Sequence, residues 1–219
     1  MKVSLDDLRE RYLAAQLAGD RRKAVQLVVE DGLLRGVTIS DLQHHVIQAA
    51  QHQIGVLWQR NEVTIAQEHM ATAISQLTLA ALYERASVSP RNGKKVLIAC
   101  VEGELHDLPA RFVADYLDLA GFDVRYLGAS VPHDHLVTMV VSEQPDLIGL
   151  SVTMSFNVGA AKIAVQRVRA ASTAPLFLGG HATTWSPNLV TELEVASGGR
   201  SPAELVAIAR SLAGLPEVP

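Results

Sequence analysis

A helical region followed by a doubly wound domain is the fold class that this sequence predicts: an α + α/β chain, with an N-terminal four-helix bundle before a flavodoxin-like (Rossmann-like), parallel five-stranded sheet. Three observations carry it. From Ser4 to about Ala86 there is no proline and almost no strand signal, and apolar residues recur at helical spacing. Ser87-Val88-Ser89-Pro90-Arg91-Asn92-Gly93 then replaces that pattern with turn and breaker residues. From Lys95 onward, short β-branched or apolar runs alternate with helical segments, as in βαβ units around a parallel sheet. The expected organisation is a bundle over residues 1–88, a linker over 89–94 and an α/β domain over 95–219.

The first helix is expected from Leu5 to Ala18, with Leu5, Leu8, Tyr12 and Ala15 on one face and Gly19-Asp20 ending it. The second spans Arg21 to Arg35, turns Ala24, Leu27, Val28 and Leu34 inward and stops at Gly36. Ser40 is the expected N-cap of the third, whose stripe is Leu42, Val46, Ala49, Gln53 and Leu57 and which ends near Arg60-Asn61. Thr64-Ile65-Ala66-Gln67 has capping-box spacing and opens the fourth, which runs to about Arg85 with Met70, Ile74, Leu77 and Ala81 inward. Short connections between helices of similar length imply antiparallel packing.

In the second half the expected strands are Val96–Cys100, Asp123–Leu127, Leu147–Val152, Leu176–Leu178 and a weaker Leu193–Ala196. Helices are expected over Ala110–Ala120, His133–Glu143, Val158–Ala171, Pro187–Glu192 and Ser201–Leu212. Right-handed crossovers then bring the loops after strands one, three and four to one edge of the sheet, where ligands of such folds bind.

With 219 residues and 48% hydrophobic content the chain has the material for a large core. Nineteen basic against 23 acidic residues give a net charge of -4, and no Lys/Arg run forms a phosphate-binding stripe, so no direct nucleic-acid partner is expected. No stretch approaches the roughly 20 apolar residues of a membrane span, and the N-terminus lacks the apolar core of a signal peptide. A cytoplasmic, soluble protein without a membrane partner is expected. Cys100 is the only cysteine, which excludes an intrachain disulfide or a multi-thiolate metal site.

Val101-Glu102-Gly103-Glu104-Leu105-His106-Asp107-Leu108 follows the first strand and carries an imidazole between carboxylates. A lone loop histidine is more often a surface residue. Here Glu104 and Asp107 flank His106, and a carboxylate on one ring nitrogen fixes the tautomer in which the other binds a metal. One histidine is too few to hold a bare ion, so the metal would arrive already coordinated. In Leu150-Ser151-Val152-Thr153-Met154-Ser155-Phe156-Asn157 the hydroxyls of Ser151 and Thr153 share a face if the strand continues; the plainer reading is a helix cap. Gly179 and Gly180 let a ligand approach the backbone, or simply make a tight turn. On periodicity Trp58 is a core residue and Glu68-His69 the polar edge of a helix.

Together the three loops resemble the B12-binding domain of corrinoid proteins, over roughly Lys95 to Leu212. Glu104-Leu105-His106-Asp107-Leu108-Pro109 stands at the family's Asp-x-His-x-x-Gly signature, Ser151 and Thr153 at Ser-x-Leu, and Gly179-Gly180 at Gly-Gly. The resemblance implies that His106 displaces the cofactor's own base as the lower cobalt ligand, that Glu104 orients it, and that Ser151, Thr153, Gly179 and Gly180 line the slot for the displaced tail. Pro109 and Thr153 depart from the signatures, where the family has glycine and leucine. A preceding four-helix bundle is the family's usual cap.

Trp58, nine residues and then Glu68-His69 resemble the Trp-x9-Glu-His signature of B12-dependent photoreceptors, among them light-responsive repressors of carotenoid genes. There the Trp covers the upper adenosyl group and the Glu-His pair helps hold it. This implies adenosylcobalamin bound base-off/His-on, whose photolysis alters cap packing and then oligomeric state or partner binding. In several relatives a histidine directly after the Trp ligates cobalt in the light; here that position is Gln59. Repressor relatives carry an N-terminal helix-turn-helix for which this chain has no room, so the expected output is self-association, as dimer or tetramer, or a downstream protein partner. His45, His52 and Gln59 on the third helix are seven apart and share a face, which reads as a solvated polar stripe; the sharper reading is that His44, His45 or His52 contacts cobalt after photolysis or a second chromophore, since the similar photocobilins pair B12 with a bilin such as biliverdin. The alternative is a corrinoid protein carrying methyl groups in a methyltransferase system, with Trp58 as packing. In neither reading is the chain itself an enzyme.

Overall fold

The structure, a computed structural model, describes residues 3–216; the outer ends of the expected bundle and α/β domain, 1–2 and 217–219, lie outside the described residues. The chain divides between Ser87 and Val88 into two compact units.

In the first unit, α1 (Leu5–Leu17) is capped by Ser4, whose Oγ accepts from Asp7 N–H. Helix α2 (21–35) has three pitches: α-helical over Arg21–Gln26, π-helical over Leu27–Gly32 and 3-10 over Leu33–Arg35, with left-handed Gly36 ending it. Helix α3 (39–59) likewise has a π-helical stretch, Leu42–Gln48, between α-helical turns. Its N-cap is Thr38, whose Oγ1 accepts from Asp41 N–H, and not Ser40, which lies inside the helix. Helix α4 (Ile65–Tyr83) opens with the expected capping box of Thr64 and Gln67.

The inward faces differ from the expected stripes for a physical reason. A π-turn closes i→i+5 and accommodates one extra residue, so the 3.6-residue pattern slips after it. Leu34 is accordingly 73% exposed, with Val29 and Gly32 turned inward in its place. In α3 the stripe starts at Leu42 and Val46 as expected, then moves one residue on to Ala50 and Ile54, leaving Gln53 exposed and Leu57 half-buried. In α4 Ile74 is inward, but Met70 and Leu77 are exposed, because the buried face carries Ser75 and Thr78 among Ala71, Leu79 and Leu82.

The second unit is a five-stranded, all-parallel sheet in the order β2-β1-β3-β4-β5. The strands are β1 (Lys95–Cys100), β2 (Asp123–Tyr126), β3 (Leu147–Ser151), β4 (Leu176–Gly179) and β5 (Ala196–Ser197). Between them run α5 (Leu108–Leu119), α6 (His133–Glu143), α7 (Val158–Ala171) and the short α8 (Ala182–Trp185) and α9 (Leu189–Glu192); α10 (Pro202–Leu212) closes the unit. Strand β5 begins later than expected because Glu194 takes a positive φ of 52° after α9, so extended backbone starts only beyond it. The order reverses between β1 and β3, since β1 leads outward to β2 on one side and β3 to β4 on the other. That switch point is where ligands of such sheets sit, beyond the strands' carboxyl ends.

The segment after Ser87 is fastened within this second unit. Ser89 N–H donates to Leu119 O and Asn92 N–H to Gly121 O, both at 2.9 Å, and the Arg91 guanidinium donates to Asp118 Oδ1 at 2.6 Å and to the Phe122 carbonyl. Gly121 has φ of 91° and a Cβ there would lie 2.4 Å from Pro90 O, so the α5–β2 corner admits glycine alone at that point. Among the described residues no helix is long and apolar enough to cross a membrane.

Candidate functional site

The site is built around Glu104, whose side chain is fully buried at the end of β1. Its Oε1 accepts from the backbone N–H of His106 at 2.9 Å and lies 2.7 Å from His106 Nδ1. Its Oε2 accepts from the N–H groups of Thr153 and Met154, both at 2.9 Å, and from Asn157 Nδ2 at 3.0 Å. One carboxylate therefore ties the loop after β1 to the loop after β3 across the switch point. The loop after β2 joins them, as Ser130 N–H donates to Glu104 O and Gly103 N–H to Ser130 Oγ. Burial alone would raise the Glu104 pKa, but the hydrogen bonds from His106, Met154 and Asn157 prevail and hold it at about 2.

That anchor fixes the imidazole. With Nδ1 on the carboxylate, Nε2 is the nitrogen that would carry a metal, and the ring is 44% exposed. Asp107 turns elsewhere and accepts from Tyr126 OH at 3.3 Å, which holds the start of α5 against β2. Pro109 fits because it occupies the first turn of α5, where no N–H partner is lost. Burial pushes the Cys100 thiol up to about 12, so it is not a thiolate ligand. Among the described residues no group of three or more His, Cys, Asp or Glu is placed to hold a metal ion, so a metal at His106 must bring its other ligands, as a corrin does.

The second and third loops meet the first by register: Ser151 pairs with Cys100 on one side and with Gly179 on the other. Ser151 Oγ and Thr153 Oγ1 are buried and have no nitrogen or oxygen partner among the described residues; the Cys100 thiol is the polar neighbour of Ser151. Buried orphan hydroxyls are uncommon, and a polar ligand group entering this edge would satisfy them. A Cβ on Gly179 would meet nothing within 4 Å, which leaves open approach there. These residues fit the tail of a corrinoid. Gly180 has a different reason to be glycine: φ is 93° and a Cβ would sit 2.2 Å from Val152 O. Gly180→Ala is expected to destabilise the fold by about 3 kcal/mol, read as a lowered urea midpoint, whereas Gly179→Ala should leave stability within about 1 kcal/mol.

Leu105, Phe156 and Trp185 carry no signature and were missed by sequence reasoning, yet each is more than 60% exposed and each follows the carboxyl end of a strand, Leu105 in the loop after β1, Phe156 in a 3-10 turn after β3 and Trp185 at the end of α8 after β4. Trp185 also stacks edge-on against His181, with ring centroids 5.2 Å apart. Large apolar side chains gathered at one rim mark a binding surface. The signal available in the sequence was their position shortly after the first, third and fourth strands.

In the first unit, Trp58 is 36% exposed near the end of α3, so it is not the core residue that periodicity suggests. Glu68 and His69 form a pair in the first turns of α4, with Glu68 Oε2 and His69 Nδ1 2.6 Å apart. Glu68 is mostly buried and His69 largely exposed. His44 Nδ1 lies 2.9 Å from Gln48 Oε1, and the His44 and His45 rings meet edge-on.

Residues 94–209 match a family described as "B12 binding domain", and residues 8–83 match a second family of the same description. The "HTH-type transcriptional repressor CarH" of Myxococcus xanthus is 28% identical over 177 residues, covering 80% of this chain and 58% of the repressor. "Dimethylamine corrinoid protein 1" of Methanosarcina acetivorans is 28% identical over 118 residues, 53% of this chain and 55% of that protein. The chain thus spans less than two thirds of either relative. Among solved structures, the Methanosarcina barkeri monomethylamine corrinoid protein superimposes with a TM-score of 0.83 at 17% identity, over 95% of this chain and 100% of that one, so the fold is shared. With the first of these matches running over more than half of its length, the chain belongs to the B12-binding-domain family and is a corrinoid-binding protein.

Proposed function

We propose that the chain is a B12-dependent light sensor that binds adenosylcobalamin base-off, with His106 as lower cobalt ligand. The observation that carries this reading is in the bundle: Trp58 exposed at the end of α3, with a Glu68–His69 pair in α4. An indole left open to solvent and an imidazole set by a carboxylate suit a pocket over the cofactor's upper group better than they suit packing. In support, the match to the repressor extends over 177 residues, longer than the α/β unit, whereas that to the dimethylamine corrinoid protein extends over 118.

In this reading Glu104 holds the tautomer of His106, Ser151 and Thr153 donate to the displaced base, and Gly179 leaves room for it. Asp107 supports the loop through Tyr126 and does not touch the cofactor. The cofactor supplies a cobalt–carbon bond that light cleaves. Trp58, Glu68 and His69 would contact the adenosyl group, and contacts that exist only while that group is present would bias the conformation of the bundle by no more than the differential affinity they represent. Self-association or a protein partner reads out that bias. A bilin at His44, His45 or His52 would make the chain a two-pigment sensor; if protein reconstituted with both pigments shows B12 absorbance alone after gel filtration, that addition falls.

The names of the corrinoid relatives favour a second reading, a methyl carrier in a methyltransferase system, in which Trp58 has no ligand role. Loading with adenosylcobalamin in darkness, followed by green light, separates the two: a sensor changes both absorbance and elution volume, and no light response together with methyl transfer to an acceptor defeats the proposal. Trp58→Ala is expected to weaken adenosylcobalamin about tenfold, the loss of roughly 1.4 kcal/mol of aromatic contact, while hydroxocobalamin affinity in a binding titration stays unchanged.

A further inference from the structure

The interior of the bundle holds a polar chain that apolar periodicity would not place there. Gln51, on α3, is its junction. Its Nε2 donates to Thr72 Oγ1 at 2.6 Å and to Glu68 Oε1 at 3.3 Å, while its Oε1 accepts from Ser75 Oγ at 3.1 Å and from Gln16 Nε2 at 3.4 Å. Thr72 Oγ1 in turn donates to Glu68 Oε1 at 2.8 Å. Further in, Gln16 Nε2 reaches Ala71 O and Ser75 Oγ, and Tyr12 OH lies 3.3 Å from both Ser75 Oγ and Thr78 Oγ1. Tyr12, Gln16, Ser75 and Thr78 are all fully buried. Three helices are thereby linked, from α1 through α3 to the Glu68–His69 pair at the start of α4.

Apolar side chains of similar volume would stabilise a bundle at least as well as this chain does. What the chain achieves is orientation. A glutamate on a helix surface rotates about three side-chain bonds; here one oxygen is committed to Gln51 and Thr72, which leaves Oε2 for His69 Nδ1. We propose that Gln51, with Thr72, is a positioning residue for the upper-ligand pocket: it fixes the Glu68 carboxylate and through it the His69 ring. The proposal rests on the reading of Trp58, Glu68 and His69 as that pocket.

The test compares dark affinities for adenosylcobalamin and hydroxocobalamin, which differ only in the upper cobalt ligand, in the wild-type chain, Gln51→Leu, Thr72→Val and Glu68→Gln. Gln51→Leu is expected to lose about tenfold toward adenosylcobalamin and nothing toward hydroxocobalamin, Glu68→Gln to do the same, and the Gln51→Leu/Glu68→Gln double variant to lose no more than Glu68→Gln alone. In the cofactor-free protein at alkaline pH, the ring nitrogens of His69 should report one tautomer, protonated at Nδ1, in wild type and a mixture in Gln51→Leu. Equal losses toward both cobalamins, or no loss with an unchanged tautomer, overturn the positioning role. If Glu68→Gln itself leaves the ratio of affinities unchanged, the pocket reading fails and the proposal with it. Should Gln51→Leu not fold, the near-isosteric Thr72→Val carries the comparison with the same criteria.

Discussion

Replacing Glu104 by alanine is expected to destabilise the α/β unit by about 3 kcal/mol, because the N–H donors of Thr153, Met154 and His106 and the Asn157 side-chain amide lose their shared acceptor together. In a thermal melt this is a fall of roughly 10 °C. Corrinoid affinity falls too, since the two loops that flank the switch point are no longer held to each other. Glutamine keeps the shape but offers one acceptor oxygen where the site needs two, so Glu104→Gln should lie between alanine and wild type. The same hydrogen bonds give an acid signature. The native carboxyl sits at about 2 against an ordinary 4.5, so the unfolded chain binds the proton more readily than the folded one. Stability from Glu104 is therefore fully present above pH about 4.5 and is lost as pH falls through the range down to about 2. Urea midpoints taken across that window should drop in wild type, while the Glu104→Gln curve starts lower at neutral pH and is flatter. A wild-type midpoint as flat as that of the variant would refute the account of Glu104.

His106→Ala separates affinity from stability. The ring is almost half exposed and its backbone N–H still reaches Glu104, so the stability change should stay near 1 kcal/mol. Cobalamin affinity, by contrast, is expected to fall on the order of 100-fold, about 2.7 kcal/mol, and the cofactor that does bind should keep the absorbance of the base-on form. Affinity retained with a base-off spectrum in His106→Ala would mean that another residue is the lower ligand. Measured side by side, the two variants distinguish the residue that would bind cobalt from the residue that holds it in place.

The α/β half was legible in the sequence because its signals are local. Apolar runs such as Leu147-Ile148-Gly149-Leu150 and Leu176-Phe177-Leu178 end at Ser151 and Gly179, and α6 and α7 fall on the expected residues. The bundle's helices were legible but their faces were not, since a π-turn leaves no mark in a hydrophobic pattern and yet moves Ala50 and Ile54 to where Ala49 and Gln53 were expected. In α4 an apolar stripe was sought, whereas Ser75 and Thr78 are inward because Tyr12 and Gln16 hydrogen-bond to them from α1. Pairing of that kind depends on residues some 60 positions apart. The loop signatures pointed to His106 and Glu104 but could not show that Glu104 reaches Thr153, Met154 and Asn157. Nor did they separate Gly179, where a ligand has open approach, from Gly180, which the backbone of Val152 requires.

The fastening of residues 89–92 has a bearing on how relatives of this chain can be recombined. Helix α5 starts beside the His106 loop and ends at Asp118 and Leu119, where Arg91 and Ser89 grip it. The segment after the bundle is thus part of the frame on which the His106 loop stands. A chimera that exchanges one helical bundle for another keeps this frame whole when spliced at Ser87; a splice at Lys94 would carry Arg91 away with the bundle and change the footing of α5.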